Sequence, residues 1–151
     1  MTERRSLPAR DNSPLGDLLQ RRVLEMDKEG MRARMGFTVG EQFLNRQGVL
    51  HGGAVATMLD SLCGFAVWVA SGRRFGQTLE LKTHFLLAAR PGAYHGEGRV
   101  VRMGRTIVFL EADLFNAQDE LVATASATFR LRAKRSDQQS GEQSGERSGE
   151  Q

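Results

Sequence analysis

Three rows of alternating apolar positions organise the second half of the chain. Leu79, Leu81, Thr83, Phe85 and Leu87 fall on one side of the first, opposed by Glu80, Lys82 and His84. Val108, Leu110, Ala112 and Leu114 form the second. Leu121, Ala123, Ala125, Ala127, Phe129 and Leu131 form the third, opposed by Thr124, Ser126, Thr128 and Arg130. A period of two belongs to a strand with one buried face, so each row predicts an antiparallel strand. Arg90-Pro91-Gly92, Met103-Gly104-Arg105 and the stretch from Asn116 to Glu120 are the turns between them,. A further strand is expected between Ala93 and Met103, weakened by Gly96 and Gly98,.

Upstream the period becomes helical. Ser13 is a natural N-cap with Pro14 at the first helical position, and Leu15, Leu18, Leu19, Val23 and Met26 make one apolar stripe that Gly30 ends,. A strand-like stretch runs from Arg32 to about Leu44, followed by the turn-rich Asn45-Arg46-Gln47-Gly48. Ala54 to Ala70 is apolar all round, so this helix must be buried against the sheet,. Its 17 residues sit at the low end of what a bilayer needs,. Asp60 near its middle would cost roughly 2.5–3.5 kcal/mol on insertion, which argues against a membrane span. The expected fold is α+β, an antiparallel sheet of five to six strands wrapped around a long central helix.

The domain is expected over residues 13–132. Residues 1–12 are polar, and residues 133–151 carry a threefold Ser-Gly-Glu repeat with no apolar side chain after Ala133. Neither end can offset the entropy of ordering, so both are expected to be disordered. A length of 151 residues suits one such domain, and 40% hydrophobic with 26% charged residues is the balance of a soluble globular protein,. Cys63 is the lone cysteine, which rules out an intrachain disulfide, and the first twenty residues contain no apolar run of a signal peptide,. A cytoplasmic protein is the expectation. From Arg32 to Arg132 there are 12 Lys and Arg against 8 Asp and Glu. That excess suits a small polyanion but is too dilute, and too free of interleaved aromatics, for nucleic acid.

Two features of the central helix carry candidate chemistry. Asp60 lies among Met58, Leu59, Leu62 and Cys63, with no Lys or Arg in the helix. Such a carboxylate is either satisfied or partly exposed, or a base whose pKa burial raises towards working pH. His51-Gly52-Gly53 stands at the helix start, where the first amides have no intrahelical acceptor and the dipole is positive,. The two glycines either relieve crowding against the sheet or admit a carbonyl to those amides as an oxyanion hole. Eight residues of helix put Gly52 and Asp60 roughly 12 Å apart along the axis. One chain cannot easily bring both to one carbonyl carbon, whereas two antiparallel copies across a dimer axis can.

Asn45-x5-His51-Gly52-Gly53-x6-Asp60, followed by Gly64, resembles the motif of hot-dog-fold thioesterases of the phenylacetate-degradation (PaaI-like) type. Thr78 to Pro91, with Phe85 and the Arg90-Pro91-Gly92 turn, is similar to that family's next strand and turn, and the likeness covers most of residues 32–132. The resemblance implies hydrolysis of an acyl-CoA to a carboxylic acid and free coenzyme A by a homodimer or a dimer of dimers, with no metal or redox cofactor. By position, Gly52 would offer the amide that polarises the thioester carbonyl, assisted by the Asn45 side chain, with His51 beside that hole. Asp60 would activate water or attack directly from the opposite subunit, and Thr78 would help orient the water. The parity of Thr78 puts it off the Leu79–Leu87 face, so its reach would require strand twist or a bulge.

The remaining candidates are weaker. Gly53 adjoins the hole, and Arg73, Arg74, Arg90 and Arg105 are loop arginines available to the coenzyme A phosphates,. One cysteine and three scattered histidines suggest no metal site,. Cys63, Phe65 and Trp68 read as core, with either aromatic able to line an acyl pocket, and His84 and His95 read as surface strand residues. The rival functions are a non-catalytic acyl-CoA-binding module and, further off, an acyl-CoA hydratase or dehydratase.

Overall fold

The computed structural model describes residues 13–132; the ends expected to be disordered lie outside the described residues. Its centre is helix α2, Gly52–Ala70, around which the sheet is built. Ala54, Val55, Met58, Leu59, Leu62, Cys63, Ala66, Val67 and Val69 of α2 are buried. Full burial of a Leu, Met or Val contributes on the order of 1.5–3 kcal/mol, so this contact is the main stabilising layer. Length and hydropathy alone would allow α2 to cross a membrane, but its buried side is the core of the domain.

Six antiparallel strands run in the order β1-β2-β4-β5-β6-β3. They are β1 (Arg22–Asp27), β2 (Arg32–Val39), β3 (Gly76–Phe85), β4 (Gly92–Met103), β5 (Ile107–Asn116) and β6 (Leu121–Leu131). Val108, Leu110, Ala112 and Leu114 of β5 are buried, as are Ala123, Ala125, Ala127, Phe129 and Leu131 of β6. Those two rows face α2 as their alternation requires.

Gly96 and Gly98 do not weaken β4, which is twelve residues long. They are where the helix lies down on the sheet. A Cβ at Gly98 would run into the Leu62 carbonyl oxygen, and one at Gly96 into the Leu62 side chain and the Asp113 carbonyl oxygen. Glycine permits a backbone-to-backbone approach that any side chain would prop open.

The single helix expected up to Gly30 is instead a short helix and a strand. Ser13 does cap α1, Pro14–Leu18, its Oγ accepting from the Gly16 amide at 3.1 Å. Helix then gives way at Gln20, whose φ of 45° is left-handed, and Arg22–Asp27 pair with β2. A turn at Asp27–Gly30 closes the hairpin, with Asp27 Oδ1 accepting from the Gly30 amide at 2.8 Å. Ladder bonds to β2 outweigh the weak helical preference of this stretch. The apolar stripe dissolves accordingly: Leu19 is buried, while Leu15 and Leu18 are exposed. Strand β2 also ends sooner than expected, at Val39, and Glu41–Phe43 form a 3-10 turn.

The β3 row is the other correction. Leu79, Phe85 and Leu87 are exposed rather than buried. A register shift between Thr78 and Glu80 makes Leu79 the extra residue of a bulge. Thr78 therefore pairs with the inward Phe129, as Leu81 does with Ala127, and the bulge turns Thr78 onto the helix face.

Candidate active site

The bulge has an immediate chemical result. Thr78 Oγ1 donates to Asp60 Oδ1 at 2.7 Å, joining the edge strand to the middle of α2. Asp60 is half-buried, so the helix meets the cost of a carboxylate with one hydroxyl and with solvent. One turn on, burial first and then the Asp60 charge push the Cys63 thiol up to about 12. Cys63 is thus an un-ionised core thiol at neutral pH. Ser61, next to Asp60, accepts from Arg21 Nη1 at 3.1 Å, which ties the chain before β1 to the same helix.

The start of α2 is held from two sides. The Leu50 amide donates to the Ala89 carbonyl and the His51 amide to the Phe43 carbonyl, each at 2.8 Å. The His51 carbonyl accepts from Ala54 and Val55. No side chain caps the helix, and the Gly52 and Gly53 amides find no acceptor among the described residues. His51, Gly52 and Gly53 are all exposed. The two glycines have different reasons to be glycine. A Cβ at Gly52 would stand 3.3 Å from the Phe85 ring, whereas one at Gly53 would meet nothing within 4 Å. Crowding accounts for the first and leaves the second unexplained within one chain.

Asn45 precedes this helix in a tight loop. Its Oδ1 accepts from the Gln47 amide at 2.9 Å and the Val49 amide at 3.3 Å. These bonds fix the side chain through Oδ1, and its Nδ2 meets no acceptor among the described residues,.

The structure separates the candidate arginines. Arg74 donates through Nε and Nη2 to the Arg132 carbonyl at 3.2 and 2.9 Å. Arg73, at φ 72°, lies over the Trp68 ring at 5.3 Å. Trp68 in turn stacks on Phe65; both are half-buried, and Phe65 packs against the core. These groups gather around the C-terminal end of α2, roughly 20 Å or more of helix from Gly52,. Arg90 is at the other end, one residue past the Ala89 carbonyl that takes the Leu50 amide.

Two residues that the sequence did not single out for the site now border it. Phe85 packs its ring on Gly52 and is half-exposed. Tyr94, the chain's one tyrosine, is 4% exposed and holds both backbone polar atoms of Arg90. The signals were thin: Phe85 is one member of an alternating row, and Tyr94 one aromatic in a strand. Within a single chain Asp60 and Thr78 are brought together, while the Gly52 and Gly53 amides stand apart at the start of the helix and Asn45 lies in the loop that precedes it. Among the described residues no three His, Cys, Asp or Glu gather as a metal site.

Comparison with known proteins agrees with this architecture. Residues 47–123 match the model of the thioesterase superfamily. A Saccharolobus solfataricus protein assigned to the esterases is 32% identical over 114 residues, 75% of this chain and 80% of its own. The phenylacetic acid degradation-related protein of Ralstonia eutropha superposes with a TM-score of 0.74 at 28% identity, over 80% of this chain and 92% of that one. A Streptococcus mutans protein solved with acetyl-CoA bound superposes with a TM-score of 0.67 at 27% identity, over 76% and 90%.

Proposed function

The chain belongs to the thioesterase superfamily, and on that premise we propose that it hydrolyses acyl-CoA thioesters at a site shared by two of its copies. The observation that carries this reading is the 2.7 Å bond from Thr78 to a half-buried Asp60. A carboxylate fixed through Oδ1 keeps Oδ2 free to take a proton from water. The Gly52 amide, assisted by the Asn45 side chain, would stabilise the thioester oxygen as it becomes negative. Water adds to the carbonyl carbon as its proton passes to Asp60. The C–S bond then breaks, and the departing thiolate recovers that proton. In the alternative route Asp60 itself attacks and forms a mixed anhydride that water opens. Single-turnover hydrolysis in labelled water tests the second route, since label appearing in Asp60 would exclude the simple base mechanism.

Asp60 and Gly52 are roughly 12 Å apart along one helix, so the donors and the base of one site come from different subunits. Support for such a dimer lies along β3, an edge strand. Phe75, Leu79, Phe85, Leu86 and Leu87, in β3 and the residues flanking it, are 45–69% exposed, apolar surface of the kind that a second chain covers. Coenzyme A is part of the substrate, and the chemistry asks for no metal or redox cofactor. Acetyl-CoA in the Streptococcus mutans relative supports coenzyme A as the thiol carrier. An α2 occupied as the core helix is in keeping with a cytoplasmic enzyme.

The test is thiol release from phenylacetyl-, hydroxybenzoyl-, short-, medium- and long-chain acyl-CoAs, with Asp60→Asn beside the wild type. We expect turnover by the wild type and a loss of about a hundredfold or more in the variant. Absence of thiol release from every thioester would overturn the hydrolase reading in favour of an acyl-CoA-binding module.

A further inference from the structure

We propose that Tyr94 is a positioning residue that presents Arg90 to the phosphates of the substrate. The inference rests on the acyl-CoA reading above and extends it to the far end of the ligand. The segment from Phe85 to Arg90 lies along the start of α2, fixed at one end by the Phe85 ring on Gly52 and at the other by the Leu50–Ala89 hydrogen bond. Three residue steps and that one bond connect Gly52 to Arg90, a separation of no more than about 15 Å. A thioester carbonyl held at Gly52 therefore leaves its pantetheine arm room to run out towards the Arg90 side chain. Arg74 is committed to the Arg132 carbonyl and Arg73 is stacked on Trp68. The exposed Arg90 guanidinium makes no hydrogen bond or ion pair among the described residues, and so can meet an anion,.

Its backbone is held quite differently. Tyr94 Oη donates to the Arg90 carbonyl at 2.6 Å and accepts from the Arg90 amide at 2.9 Å. Burial pushes the phenol above its ordinary value, against the smaller opposing effect of the Arg90 bond, so it stays protonated and able to donate. Pro91 fixes the next φ,. A buried phenol thus spends both hydrogen-bonding roles on one exposed arginine. The ordering of that arginine's backbone is completed on folding instead of at binding, which favours capture of a charged group.

The test compares steady-state hydrolysis of one acyl-CoA with that of the N-acetylcysteamine thioester of the same acyl group, which has no phosphate. We expect Arg90→Ala to raise KM for the acyl-CoA about tenfold with kcat little changed. Tyr94→Phe should raise it about threefold, and the double variant should be no worse than Arg90→Ala alone. Neither substitution should alter KM for the truncated thioester, which doubles as the control for folding. Equal damage to both substrates by Tyr94→Phe would assign it a structural role only, and an unchanged KM in Arg90→Ala would remove Arg90 from binding. Either result overturns this inference while the wild type still turns over. No turnover of either thioester by the wild type overturns the hydrolase reading and this inference with it.

Discussion

Strand β1 closes one side of the sheet and β3 the other, and the two edges are finished differently. Along β1, Asp27 meets Arg32 at 3.0 Å and Glu25 meets Arg34 at 3.6 Å, and Leu24 is its exposed large apolar side chain. Charged edges discourage a further strand from adding. β3 and the residues around it do the opposite, collecting Phe75, Leu79, Phe85, Leu86 and Leu87 in the open. Both edges carry a bulge, so irregularity alone does not distinguish them. The apolar edge is also the one that supplies Thr78 to Asp60 and Phe85 to Gly52. The Thr78–Asp60 contact and these exposed apolar side chains thus share one edge, while the opposite edge is charged.

The largest test of that contrast puts one charge on each edge in turn. Leu79→Glu should yield a monomer by light scattering and lower thiol release by about a hundredfold or more, because the two halves of the site part. Leu24→Glu should leave both assembly and rate within about twofold of the wild type. An intact dimer in the Leu79 variant would show that β3 is not the shared edge. A smaller effect isolates the chemistry: Thr78→Val should lower kcat about tenfold by removing the hydroxyl from Asp60. Light scattering should find its assembly unchanged, whereas dissociation would mean that Thr78 serves the interface.

The smallest effect belongs to β1. The Gly30 amide, and after it Arg32, holds the exposed Asp27 carboxyl below its usual range. A group depressed in the folded state contributes stability above its unfolded pKa and loses it as pH falls through the folded one. The small Tm advantage of the wild type over Asp27→Asn should accordingly shrink below about pH 4, near the unfolded value for aspartate. A gap that widens on acidification would reverse the assignment.

The same contrast explains what could be read from the sequence. β5 and β6 were legible because α2 covers one face of each, so alternation in sequence is alternation in burial. α2 was legible because it is apolar nearly all round, and Gly52 and Asp60 stood out against it. The edges were harder. Val23 and Met26 fit a helical stripe as well as a strand, and only pairing with β2 decides between them. The bulge at Leu79 inverts the facing of its neighbour by one residue, so the Thr78 contact depended on a slip that no alternation encodes. Gly96 and Gly98 looked like interruptions because the partner that needs them, the Leu62 backbone, lies more than thirty positions earlier in the sequence.

That seat of Leu62 on Gly98 also governs where the gene can tolerate insertions and deletions. With no side-chain layer between helix and strand, α2 cannot slide along β4 to absorb a change in length,. Adding or removing a codon between Gly52 and Leu62 would turn Asp60 by about 100° around the axis or shift Gly52 by one step, and either change dismantles the spacing. The turn from Ser71 to Phe75 lies outside that locked interval. Variation in chain length is expected to accumulate there, leaving the spacing of Gly52 and Asp60 along α2 unaltered.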